Sequence, residues 1–89
     1  MSKVLIVEDS LAQRQMISDL LKDSGLKVTV ACDGVEALEH LETFSPDIVV
    51  MDIVMPRMNG YELCRRLKSD PKTQNVPVVM CSSKGEEFD

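Results

Sequence analysis

The amino-acid sequence predicts an α/β fold, a parallel sheet with helices on both faces. Three observations predict it. Short apolar runs of strand type alternate with stretches of helical period along the whole chain. They follow one another at the spacing of strand-helix-strand crossovers, which strand twist closes in the right-handed sense. Each helical stretch opens on a capping signature.

The elements follow in order. Lys3 to Val7 is an apolar, β-branched run that reads as a strand buried on both faces. Ser10, with Gln13 three residues on, opens a first helix, and Leu11, Met16, Ile17, Leu20 and Leu21 form its apolar stripe. Gly25 terminates it. Lys27 to Ala31 alternates polar and apolar, as an edge strand does. Asp33 and Glu36 cap a second helix, whose face is Val35, Ala37, Leu38 and Leu41 and whose stop is Phe44-Ser45-Pro46. Ile48 to Met51 is a third, wholly apolar strand, and Asp52 to Asn59 is a loop. Asn59, with Glu62, caps a third helix whose Leu63, Cys64 and Leu67 face inward and which Ser69-Asp70-Pro71 ends. Val76 to Cys81 is a fourth strand, and the polar stretch from Ser82 to Asp89 follows.

Bulk properties narrow the function. The 89 residues make one domain, and 44% apolar content excludes a disordered chain. The formal net charge of −5 argues against a polyanion partner such as nucleic acid and allows a divalent cation or a basic surface. No apolar run approaches the ~20 residues that span a bilayer. The apolar stretch after Lys3 is too short for a signal peptide, so a cytoplasmic location is expected. Cys32, Cys64 and Cys81 share no metal-type spacing and read as buried free thiols in a reducing compartment. His40 reads as a solvated side chain on a polar helix face.

The chemistry concentrates where the strands end. Glu8 and Asp9 follow the first strand, Asp52 the third, and Ser82 and Ser83 the fourth. Ligands of open parallel sheets sit outside the carboxyl ends of the strands. With the first strand beside the third, three carboxylates converge there. Like charges held close require a retained proton or a bound cation, and hard oxygen ligands suit Mg²⁺. Helix capping alone accounts for Asp33 and could account for Asp9. It does not account for Asp52, which directly follows a wholly apolar strand and lies seven residues before the next cap.

Three motifs carry a family resemblance. Lys3-Val4-Leu5-Ile6-Val7-Glu8-Asp9-Ser10 resembles the opening of response-regulator receiver domains of the chemotaxis-regulator type. Asp52-Ile53-Val54-Met55-Pro56-Arg57-Met58-Asn59-Gly60 resembles their phosphorylation loop. Val76 to Ser83 resembles their fourth strand, which ends in a hydroxyl residue. The resemblance covers Lys3 to about Ser83. It implies a flavodoxin-like, doubly wound sheet with strand order 2-1-3-4. It further implies that Asp52 accepts a phosphoryl group from a histidine kinase or phosphotransfer protein. Asp9, Asp52 and the backbone carbonyl of Val54 would hold Mg²⁺, with Glu8 acting through a water. Ser82 would bind the phosphoryl oxygen as a switch residue, and Met55, Pro56 and Gly60 would shape the loop. Val54 and Lys84 would flank the hydrolytic water and tune its rate. The chain is not expected to be an enzyme in its own right.

Residues 1–89 read as one receiver domain, incomplete at its C-terminus, because the family continues with a helix, a strand and a helix of about 30 residues. That segment carries the family's phosphoryl-pairing lysine, and Lys84 is on the wrong loop to replace it. Without the segment, one edge of the fourth strand and one apolar sheet face are left open, so a homodimer or larger assembly through that edge is expected. The alternative function is a truncated or engineered fragment that acts as a structural or assembly module with impaired signalling. A flavin carrier fits poorly, because an acidic pair stands where a Ser/Thr/Gly-rich phosphate loop would be. An acid-nucleophile phosphatase fits poorly, because Val54 stands where a second Asp would be.

Overall fold

Among the described residues, seven elements alternate between strand and helix. They are β1 (Lys3–Val7), α1 (Leu11–Asp23), β2 (Lys27–Ala31), α2 (Gly34–His40), β3 (Ile48–Asp52), α3 (Gly60–Ser69) and β4 (Val78–Cys81). The computed structural model describes residues 2–53, 55 and 57–81, without the Cys81 side chain. The four strands form one parallel sheet in the order β2-β1-β3-β4. This is the expected fold class and strand order.

The caps work as their residue types dictate. Ser10 Oγ accepts from the Gln13 N–H at 3.3 Å, Asp33 Oδ1 from Glu36 at 2.8 Å, and Asn59 Oδ1 from Glu62 at 2.9 Å. Glu36 also reaches back, so that its Oε1 accepts from the Cys32 N–H at 2.7 Å. At the end of α1 the Gly25 N–H donates to Lys22 and the Leu26 N–H to Leu21, with Gly25 at φ 85. That pair of bonds is the Schellman motif, which places a left-handed residue where only glycine sits without strain.

One core fills the face covered by α2 and α3. Leu5 and Val7 of β1, Val49 and Met51 of β3, Ala37 of α2, and Leu63 and Leu67 of α3 are all buried in it. Leu5 and Val7 are two apart, as are Val49 and Met51, because alternate strand residues share a face. On the opposite face β1 is equally buried at Val4 and Ile6. This explains why β1 reads as apolar throughout.

Several expectations are corrected. β3 runs one residue further than its apolar run, because Asp52 pairs with Cys81 and is itself a strand residue. β4 begins at Val78 instead of Val76. Pro77 has no N–H, although its carbonyl still accepts from Val49 at 3.0 Å. α2 ends at His40 with Leu41 as its cap, before the Phe44-Ser45-Pro46 stop, in a tight turn where Thr43 and Phe44 both donate to the His40 carbonyl. His40, in that last turn, is half-buried, and so are the free thiols Cys32 and Cys64, which were expected to be buried.

The largest correction concerns α1. Leu11, Met16 and Leu20 are 68%, 57% and 62% exposed, while Ile17 and Leu21 are half-buried and Ser18 is buried. The helix turns the row Arg14, Ile17, Ser18 and Leu21 toward the sheet. Met16 and Leu20, four apart, form a neighbouring row that no described element covers.

Candidate phosphoacceptor site

Strand register builds the site. Val7 of β1 lies opposite Met51 of β3. One step further along each strand stand Glu8 and Asp52. Both are buried, at 2% and 1% exposure, and Asp9 is half-buried beside them. One carboxylate oxygen from each of Glu8, Asp9 and Asp52 lies within 4.8 Å of the other two.

The electrostatics of this trio are unfavourable without a cation. Burial pushes the Glu8 carboxyl above its usual range. The Ser10 N–H, donating to Glu8 Oε2 at 3.0 Å, offsets this, and the neighbouring charges of Asp52 and Asp9 add to it. Oδ1 of Asp9 is buried with no hydrogen-bond partner. A buried carboxylate oxygen without a donor is costly, and it is explained if a ligand outside the protein satisfies it. A donor set made wholly of oxygens suits a hard divalent cation such as Mg²⁺.

The backbone around the trio is tightly specified. The Gly60 N–H donates to the Ile53 carbonyl at 2.8 Å and closes the β3–α3 loop. A Cβ on Gly60 would stand 2.6 Å from the Asp52 carbonyl oxygen and 3.0 Å from Ile53 Cα, both backbone atoms. Only glycine allows α3 to start this close to the acidic residue. Met55 and Met58 anchor the loop, each 8% exposed in the core. Glu8, Asp9 and Asp52 are thus brought together, Gly60 lies against the Asp52 backbone, and Met55 is buried in the core. Val54, Pro56, Ser82 and Lys84 lie outside the described residues.

Two participants were not singled out from sequence. Arg14 Nη1 donates to the Glu8 carbonyl at 2.8 Å, tying α1 to the end of β1. Arg57, in the β3–α3 loop, pairs with Asp33, the cap of α2. The helical period could have placed Arg14 on the inner row. Nothing local could have paired residues 33 and 57, because their contact exists only in the folded chain.

The family model for the response regulator receiver domain matches residues 4–89. The chain belongs to the response-regulator receiver family. It is 39% identical over 87 residues to the protein PilG of Pseudomonas aeruginosa, an alignment covering 98% of this chain and 64% of that protein. It is 37% identical to the alkaline phosphatase synthesis transcriptional regulatory protein PhoP of Bacillus subtilis, over 98% of this chain and 35% of that one. The receiver thus spans less than two thirds of either relative. Among solved structures, the chemotaxis response regulator CheY4 of Vibrio cholerae superposes with a TM-score of 0.90 at 35% identity, covering 97% of this chain and 72% of that one. The receiver domain of the sensor histidine kinase PA1611 of Pseudomonas aeruginosa, solved with a magnesium ion coordinated in its active-site cleft, superposes with a TM-score of 0.89 at 26% identity. It covers 99% of this chain and 72% of that one. Among the described residues no helix is long and apolar enough to cross a membrane.

Proposed function

We propose that Asp52 is the phosphoacceptor of this receiver domain and that the acidic trio holds Mg²⁺ for the transfer. The observation that carries this reading is the buried, partnerless Asp9 Oδ1, set within 4.8 Å of carboxylate oxygens of Glu8 and Asp52. Asp9 and Asp52 would ligate the metal directly, with the Val54 carbonyl as a third ligand and Glu8 acting through a water. Bound Mg²⁺ supplies the counter-charge that lets an anionic donor approach three carboxylates.

The protein's part is positioning. An Asp52 oxygen attacks the phosphorus, an acyl-phosphate bond forms, and the donor's bond to phosphorus breaks with its electron pair. Register with β1 holds Asp52 against Glu8, and the glycine at 60 keeps α3 clear of the Asp52 backbone. Ser82 would bind the phosphoryl oxygen. Val54 offers the hydrolytic water no hydrogen bond, and with Lys84 it would make dephosphorylation slow. A histidine kinase or phosphotransfer protein is the donor this chemistry fits.

The test is labelling of the chain with a small phosphodonor and Mg²⁺, read by intact mass. We expect one phosphoryl adduct, which does not form when the metal is chelated beforehand and is absent in Asp52→Asn. Labelling that survives Asp52→Asn sinks the reading. A second reading, an assembly module with little signalling capacity, is favoured by the exposed Leu11, Met16 and Leu20. An unlabelled wild-type chain would select it.

A further inference from the structure

The β3–α3 loop, which carries the residues around Asp52, is held at three described points. The Gly60 N–H closes its base on Ile53. Met58 lies against Gly34 at the start of α2, so closely that a Cβ on Gly34 would meet Met58 Sδ at 2.8 Å. The third point is Arg57. Its φ of 67 is in the left-handed region, and among the described residues no other non-glycine residue has a positive φ. A side chain rarely accepts that conformation unless the surroundings hold it there.

What holds it is Asp33. The Arg57 Nε donates to Asp33 Oδ2 at 2.9 Å, and Nη2 reaches the same oxygen. Most exposed ion pairs contribute little, because both side chains must be ordered to make them. Here one partner is already ordered. The Asp33 carboxylate is buried, and its other oxygen caps α2 through the Glu36 N–H at 2.8 Å. The pair also joins distant parts of the rim. It links the β2–α2 turn to the β3–α3 loop, and β1, whose end carries Glu8 and Asp9, lies between those strands.

We propose that Arg57 and Asp33 form a strap that holds the β3–α3 loop in its metal-binding shape, making both of them positioning residues for Asp52. The proposal rests on the functional reading above. With the strap intact, the ordering of Arg57 and Met58 precedes the arrival of the cation. With it cut, the ordering has to accompany binding, and apparent affinity falls by the fraction of time the loop spends out of shape.

The experiment titrates Mg²⁺ alone into the full chain, followed by amide chemical shifts, for wild type, Asp33→Asn, Arg57→Asn and the double variant. Asparagine at 33 can still cap α2, and asparagine at 57 tolerates the left-handed backbone. We expect each single variant to raise the Mg²⁺ dissociation constant roughly 3–10-fold. We expect the double variant to be no worse than the weaker-binding single, because both changes cut one strap. Arg57→Lys should restore part of the affinity. Folded variants with wild-type affinity overturn the proposal, as do single effects that add in the double variant. If Asp33→Asn fails to fold, Arg57→Asn carries the test. Unfolding of that variant as well would show the pair to be a fold determinant and overturn the positioning role. A wild-type chain that neither binds Mg²⁺ nor labels defeats the functional reading, and the strap with it.

Discussion

At the residue scale, two buried carboxylates are handled in opposite ways. Asp33 is surrounded by donors, and the Glu36 N–H followed by the Arg57 guanidinium hold its carboxyl below the usual range. Glu8 is surrounded by other acids, and burial holds its carboxyl above. The first arrangement pairs a carboxylate with donors, and the second gathers the three acids that we propose hold a cation. For Asp33 the folded pKa is depressed, so in the window below its ordinary value of about 3.9 the unfolded chain binds more protons than the folded one. Its contribution is therefore full above that value and is lost as pH falls through the folded value. Stability curves of wild type and Asp33→Asn should be separated at neutral pH and converge in acid, by urea midpoint against pH. A constant separation down to the lowest pH would mean that the carboxylate charge contributes nothing. Gly60→Ala tests the close approach to Asp52. Its Cβ meets backbone that cannot swing aside, so we expect a loss of about 1–3 kcal/mol by denaturant unfolding.

At the element scale, helix boundaries follow local chemistry, while helix orientation does not. Ser10, Asp33 and Asn59 each accept from the N–H three residues on, as their residue type and spacing predict. The Gly25 terminus offers a clean control for the site. A Cβ there would meet no atom within 4 Å, so Gly25→Ala introduces backbone strain alone. We expect a loss of about 1–2 kcal/mol with Mg²⁺ affinity unchanged. A drop in affinity would mean that the end of α1 communicates with the pocket. The α1 stripe was legible as apolar, yet the face turned to the sheet was not. A periodic pattern identifies an apolar row without saying which of its flanks another element will cover.

At the scale of the whole molecule, several large apolar side chains stay exposed, among them Leu11, Met16 and Leu20 of α1 and, at 47%, Val79 of β4. β4 hydrogen-bonds to β3 and to no other described strand. Both features favour self-association, most simply about a two-fold axis. We expect sedimentation of this chain to show a concentration-dependent dimer or larger species, weakened by Leu20→Glu, whose charge would be buried in the contact. A monomer at tens of micromolar would refute it.

Alternation of period, the three caps and the acids placed after apolar strands were enough to specify the α/β class, the element order and the identity of the acidic trio. These are local properties, written within a few residues of each other. The resemblance in the motifs supplied the strand order, which composition does not contain. Three things required the folded chain: the end of β3, drawn out to Asp52 by pairing with Cys81; the outward turn of Met16 and Leu20; and the tie between Arg57 and Asp33. Each depends on a neighbour brought close by the sheet. Residues 33 and 57 carry no mark of each other in the sequence, because an ion pair across 24 residues is made by the crossovers that set β2 and β3 on either side of β1.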